Sequence, residues 1–210
     1  MTDKLIKSLQ ATQVVPLVES NDVKTSLKIC EALIEGGLDV LEVVLRTDEA
    51  LECLSAIVKE FPTAHVGAGT VLTADHAEEV IRRGATFVVA PGLDPASVKV
   101  TQDAGLPILP GIATATELTQ AYNLGLRTVK FFPAGIAGGP KMLKAFASVF
   151  QDVRFMPTGG VNASNLQDFL SVPAVLACGG SWLTPKNEIE AGNFGAITKL
   201  AKDAIAIAHS

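Results

Sequence analysis

The chain has 210 residues, of which 48% are hydrophobic and 19% charged, with a formal net charge of −5. This length and apolar content suit one substantial core and are short for two well-built domains, so a single domain over residues 1–210 is expected. The acidic balance is spread without blocks of like charge, which argues against a nucleic-acid surface or an interaction tail.

Residues 1–13 are polar-interrupted and lack a signal-peptide core, and no apolar run reaches membrane-spanning length. A soluble cytoplasmic protein with no membrane partner is expected. Within that stretch the pattern predicts a first helix over 3–9. A strand over 14–18 and a helix over 22–35 follow, the helix carrying Val23, Leu27, Cys30 and Ile34 at helical spacing, with Asn21 or Asp22 as its cap. Strand over 40–45 and helix over 48–59 repeat the unit. Strands over 64–69, 86–90, 107–109, 127–131, 154–156 and 174–178 then alternate with helices over 74–83, 95–104, 114–123, 140–150 and 163–170, and a helix over 194–208 closes the chain.

Eight strand–helix units at a period of about 25 residues predict a (β/α)8 TIM barrel with an extra N-terminal helix. Gly36-Gly37, Gly84, Gly105 and Gly125 stand between a helix and the next strand, where a left-handed residue ends the helix. A doubly wound open sheet is the competing architecture. The absence of GxGxxG after the first strand counts against it.

In a parallel barrel both strand faces are buried, so a charge within a strand needs a reason. Val40, Glu42, Val44 and Arg46 share one face of the second strand, opposite the apolar Leu41, Val43 and Leu45. Glu42 and Arg46 should therefore point inward, as site residues or as an ion pair that only holds the barrel together. On the third strand Val66, Ala68 and Thr70 are expected inward, with Thr70 at the mouth or acting as a helix cap.

Lys130 lies in the apolar strand Thr128 to Phe131, before Phe132-Pro133. An isolated lysine there reads either as a guard on an edge strand or as a desolvated nucleophilic amine. A closed barrel has no edge, which favours the nucleophile.

Thr158-Gly159-Gly160 and Gly179-Gly180-Ser181 are expected after strands seven and eight. Barrels with phosphorylated substrates often bind the phosphate there, and glycine lets backbone N–H groups come close. Pro91-Gly92 reads as a turn. His65, His76 and His209 have no metal-ligand spacing, and no metal or cofactor is expected. Cys30, Cys53 and Cys178 read as buried thiols of a reducing compartment.

Glu42 to Thr47, Gly67 to Val71, Pro91 to Leu93, Lys130 to Ala134, Pro157 to Gly160 and Gly179 to Trp182 together resemble the bacterial 2-keto-3-deoxy-6-phosphogluconate (KDPG) aldolases, which often also cleave 4-hydroxy-2-oxoglutarate. The similarity runs from about Val14 to the last helix. Val44 and Ala90 stand where Thr and Ser are more usual in that family.

The resemblance implies a class I aldolase built as a homotrimer of barrels. Lys130 would form the Schiff base and Glu42 would move protons. Arg46, Thr70 and Thr158 would hold the pyruvate carboxylate, and Pro91 and Phe132 would line the pocket. Gly159, Gly160, Gly180 and Ser181 would lie at the phosphate. Alternatives are an aldolase preferring 4-hydroxy-2-oxoglutarate or the galactonate epimer, or a phosphosugar-binding barrel in which Lys130 only pairs with a phosphate.

Overall fold

The computed structural model describes residues 3–210; Met1 and Thr2, part of the stretch read as lacking a signal-peptide core, lie outside it. In chain order the elements are α1 (Asp3–Thr12), β1 (Val14–Val18), α2 (Val23–Glu35), β2 (Val40–Val44), α3 (Ala50–Glu60), β3 (His65–Gly69) and α4 (Ala74–Arg82). There follow β4 (Val88–Val89), α5 (Pro95–Asp103), β5 (Ile108–Leu109), β6 (Gly111–Ile112), α6 (Ala115–Asn123), β7 (Thr128–Phe131) and α7 (Gly139–Val149). The chain ends with β8 (Arg154–Pro157), α8 (Leu166–Leu170), β9 (Cys178–Gly180), a 3₁₀ turn (Ser181–Leu183), α9 (Lys186–Glu190) and α10 (Phe194–Ala208).

This is an α/β fold of parallel strands that curl around an inner apolar cluster. One sheet has the order β5-β4-β3-β2-β1-β9 and the other β6-β7-β8. The strand expected over 107–109 continues past Pro110, which divides it into β5 and β6: having no N–H, Pro110 interrupts the ladder, while its carbonyl accepts the Lys130 N–H at 2.9 Å. The half before it pairs with β4 and the half after it with β7. On the far side, bridges Phe155↔Val175 and Thr158↔Gly179 bring β8 to the β9 segment.

Strand alternation sorts the core into two layers. Val15, Val40, Phe87, Val89, Leu109 and Met156 pack together on the inner side, joined by Leu5 and Leu9 of α1. Leu41, Val43, Val129, Phe131 and Phe155 face outward under the helices. The second strand therefore buries its faces as its sequence predicts. The third does the reverse: Val66 and Ala68 belong to the outer layer, and Gly67 and Gly69 face inward. A Cβ at Gly67 would lie 2.3 Å from the Phe87 ring, and one at Gly69 would lie 2.2 Å from Glu42 Oε1. The inner space of that strand is taken by larger neighbours, which its own pattern does not reveal.

Gly111 is another such position. An added Cβ would sit 2.0 Å from the Pro91 carbonyl oxygen, a backbone atom with no rotamer by which to withdraw. Gly111→Ala is expected to cost about 2–3 kcal/mol, at the upper end for overpacking, measured as a fall in the denaturation midpoint with unchanged m-value.

Helix ends follow local chemistry closely. Asp22, Thr73, Asp94 and Thr114 cap α2, α4, α5 and α6 through side-chain oxygens. Gly37, Gly84, Gly105 and Gly125 all adopt positive φ, as expected after helices; Gly36 is right-handed. On α2 the fully buried stripe is Ser26, Ile29, Cys30 and Leu33, one step round from the predicted one, whose Val23, Leu27 and Ile34 are half-buried.

Thr114 and Glu117 form a reciprocal capping box on α6. Hydrogen bonding, chiefly from the Ala113 N–H, holds the Glu117 carboxyl below its ordinary value of 4.5. A lowered folded-state pKa stabilises above the unfolded value and is lost as pH falls through the folded one. Glu117→Ala is expected to lower stability by about 1 kcal/mol at pH 7, with the gap to the parent narrowing as pH falls below the ordinary value of 4.5, read by thermal unfolding across pH.

Two predicted elements shift. The helix expected over 163–170 begins only at Leu166, because Asn162 accepts from the Ser164 N–H and hydroxyl while Asn165 accepts from the Asn162 N–H. These local bonds compete with the first helical turn. The last strand, expected over 174–178, is Cys178–Gly180, paired with Val14, Val15 and Pro16. Gly179-Gly180 thus lies within the strand rather than in a loop after it. The reason is steric: a Cβ would meet Thr158 Oγ1 at 2.3 Å from Gly179, and the Trp182 ring at 1.7 Å from Gly180. The short helix α9 has no counterpart in the predicted elements.

Candidate active site

Lys130 sits near the end of β7 with neighbours Val129 and Phe131 turned into the outer core, which forces its side chain to the inner face. It is only 3% exposed. Its Nζ lies 3.4 Å from Glu42 Oε1 and 5.2 Å from the centre of the Phe132 ring. Glu42, fully buried in the middle of β2, has room for its carboxylate because Gly69 has no side chain.

The second carboxylate oxygen, Glu42 Oε2, has no hydrogen-bond partner among the described residues, and neither has Thr158 Oγ1. Buried polar atoms are nearly always satisfied, and an orphan calls for an explanation. Glu42 belongs to β2, Thr158 directly follows β8 and bridges to Gly179 of β9, and a bound polar group would satisfy both atoms. An amine and a carboxylate 3.4 Å apart are thereby available to one ligand.

Burial thus brings Glu42 to Lys130 and not to Arg46. The alternative reading of Glu42 and Arg46 as an ion pair is not met: Arg46, expected to point inward, lies beyond the end of β2, half exposed. There it donates from Nε to Thr70 Oγ1 at 3.3 Å and from Nη1 to Glu19 Oε2 at 3.4 Å. Thr70 has φ 63°, a left-handed conformation uncommon for a branched residue and often held at functional sites. It does not cap α4; Thr73 does, accepting from the His76 N–H at 3.2 Å.

The remaining predicted residues lie on the same rim. Pro91 is half-buried after β4, and Phe132 is half-buried beyond β7 against Gly159. Gly159 and Gly160 both have positive φ. Their loop is tied by Gly135 N–H to Gly159 O at 2.8 Å and by Asn165 Nδ2 to Gly160 O at 2.9 Å. Ser181 is exposed at the start of the 3₁₀ turn, directly after Gly180.

A cleft of about 800 Å³ opens beside Arg46 and Ser181, lined also by Glu19, Thr47, Thr184 and Lys186. Glu19 is the functional candidate that the sequence pattern missed. Its position one residue past β1 is a strand-end signal of the kind that singled out Arg46. Phe155 is fully buried and Trp182 packs on the core, so neither aromatic offers a ligand platform. Burial pushes the Cys30 and Cys178 thiols far above their ordinary value, as suits packing residues. No described helix is long and apolar enough to cross a membrane.

Residues 5–200 match the family model described as KDPG and KHG aldolase. The KHG/KDPG aldolase of Escherichia coli K12 is 44% identical over 91% of this chain and 90% of its own. The 2-dehydro-3-deoxy-phosphogluconate aldolase of Treponema pallidum is 42% identical over 97% of both. Among solved structures, the KDPG aldolase of Legionella pneumophila, with pyruvate captured as a covalent carbinolamine intermediate, superposes with a TM-score of 0.91 at 38% identity, covering 94% of this chain and 96% of that one. The Zymomonas mobilis ZM4 enzyme with 3-phosphoglycerate gives 0.90 at 41% identity, covering 96% and 94%.

Proposed function

Because the chain belongs to the KDPG and KHG aldolase family, we propose that it is a class I aldolase. It reversibly cleaves 2-dehydro-3-deoxy-6-phosphogluconate to pyruvate and glyceraldehyde 3-phosphate, and also splits 4-hydroxy-2-oxoglutarate to pyruvate and glyoxylate. The observation that carries this reading is the buried Lys130 amine 3.4 Å from Glu42, with Glu42 Oε2 and Thr158 Oγ1 buried and unpartnered among the described residues.

The chemistry uses these groups in turn. Neutral Lys130 Nζ attacks the keto carbon C2, forming a carbinolamine whose loss of water gives an iminium. Glu42 removes the C4 hydroxyl proton. The C3–C4 bonding pair moves into the iminium, the phosphorylated aldehyde leaves, and an enamine remains. Protonation of C3 by the same carboxyl and hydrolysis of the resulting iminium release pyruvate and restore the amine.

Arg46, Thr70 and Thr158 hold the pyruvate carboxylate, and Pro91 and Phe132 line the pocket. Gly159, Gly160, Gly180 and Ser181 receive the phosphate. Gly159 and Gly160 turn their loop through positive φ, while Gly180 acts by making room for the Trp182 ring that follows Ser181.

The scaffold is read as one (β/α)8 barrel domain over residues 1–210, with α1 as the extra N-terminal helix. Supporting this are the strand halves around Pro110, the β8–β9 bridges, and the packing of Leu5 and Leu9 on the inner cluster. A cytoplasmic homotrimer is proposed by family membership.

The test is to incubate the protein with pyruvate and borohydride, weigh it intact and map the adduct. A reduced pyruvate adduct on Lys130 is the expected result. No adduct under conditions that trap a control aldolase overturns the aldolase reading in favour of a binding barrel, and comparing turnover of the two keto acids ranks the substrates.

A further inference from the structure

Glu19 and Arg46 stand just beyond the ends of neighbouring parallel strands, whose register pairs Val18 with Val43. Their ion pair spans 3.4 Å between two half-exposed side chains. It is not needed to join the two loops, which are tied independently. The Thr47 hydroxyl donates to Ser20 O at 2.7 Å, and the Glu49 N–H donates to Asn21 Oδ1 at 3.2 Å. Arg46 has its own second anchor in Thr70. An acidic side chain thus sits at the guanidinium without a structural task that these other bonds leave undone.

We propose that Glu19 is a specificity residue that competes with the substrate carboxylate for Arg46, an inference that rests on the aldolase reading above. In the empty site its carboxylate neutralises part of the guanidinium charge. An arriving pyruvate carboxylate must share or displace it, and the remaining negative charge opposes the second anionic group of the substrate. The opposition is larger for the phosphorylated substrate, of total charge about −3, than for 4-hydroxy-2-oxoglutarate, which carries two carboxylates. Glu19 therefore lowers affinity for both and biases the mouth against the phosphorylated one.

Glu19→Gln keeps an amide oxygen where the carboxylate oxygen was and removes only the charge. An exposed pair of this kind is worth up to about a fivefold factor in an equilibrium. The expected result is a two- to fivefold lower KM, larger for the phosphorylated substrate, with kcat changed less than twofold. Half-saturating pyruvate in borohydride trapping should fall in parallel, and the effect should shrink at high salt because both side chains are exposed.

A merely structural Glu19 gives the opposite sign, since loosening Arg46 raises KM. If the parent protein traps pyruvate on Lys130 while the variant shows unchanged or raised half-saturation, the inference is wrong and the aldolase reading stands. Failure of the parent itself to trap pyruvate overturns both.

Discussion

Lys130→Ala is expected to abolish cleavage and covalent trapping together, a loss of about 10⁴-fold or more, because the buried amine is removed and the route through an iminium disappears. The substitution also strips Glu42 of its cation inside the fold. Leaving a charge unpaired there costs about 3–5 kcal/mol, less than the whole stability of most domains. The fold is therefore expected to persist with a lowered unfolding temperature. Pyruvate release, intact mass after borohydride and circular dichroism read the three consequences separately. Near-native turnover by a folded variant would overturn the nucleophile assignment.

The second large effect is expected from Glu42→Gln. The amide preserves size and one acceptor toward Lys130 Nζ, but it cannot take the C4 hydroxyl proton or return one to the enamine. General acid–base catalysis of this sort contributes about 10²–10⁴-fold, so kcat should fall by that factor. KM should change far less, since the carboxylate site proposed at Arg46, Thr70 and Thr158 is untouched. Exchange of the pyruvate methyl protons with solvent deuterium isolates the proton-transfer half of the cycle and should slow in step. A kcat within twofold of the parent would remove Glu42 from the proton path.

These two residues show how differently the parts of the site could be read. The face of Lys130 was legible from a few residues of sequence, because Thr128 and Lys130 alternate with Val129 and Phe131, whereas the choice between an edge guard and a nucleophile needed the barrel reading of the whole chain. The partners of Lys130 were legible only in part: the barrel reading puts Glu42 and Arg46 on the same inner face, and the structure keeps Glu42 alone beside it. Glu42 and Arg46 share a strand face in the sequence, and the pattern invites them to pair. In the structure Arg46 lies past the strand end and turns to Thr70 and Glu19, leaving Glu42 to a lysine 88 residues away. The glycine pair in β9 makes the same point: Gly179-Gly180 reads as a phosphate loop, yet Thr158 and Trp182 occupy the space where its side chains would be.

What the sequence by itself determined is what neighbouring residues settle among themselves. Strand periodicity placed Lys130 and Glu42 on inner faces, capping side chains and left-handed glycines marked the helix ends, and repetition of the unit pointed to a parallel α/β fold. These are short-range effects of backbone geometry and local hydrogen bonding, written within a few residues of one another. Only the tertiary structure decided which charges meet, which glycines yield space to a neighbour, where the strand around Pro110 passes from one sheet to the other, and that Glu19 stands at Arg46. Such contacts depend on strand register and on the size of side chains packed from elsewhere in the chain, quantities to which a local pattern has no access.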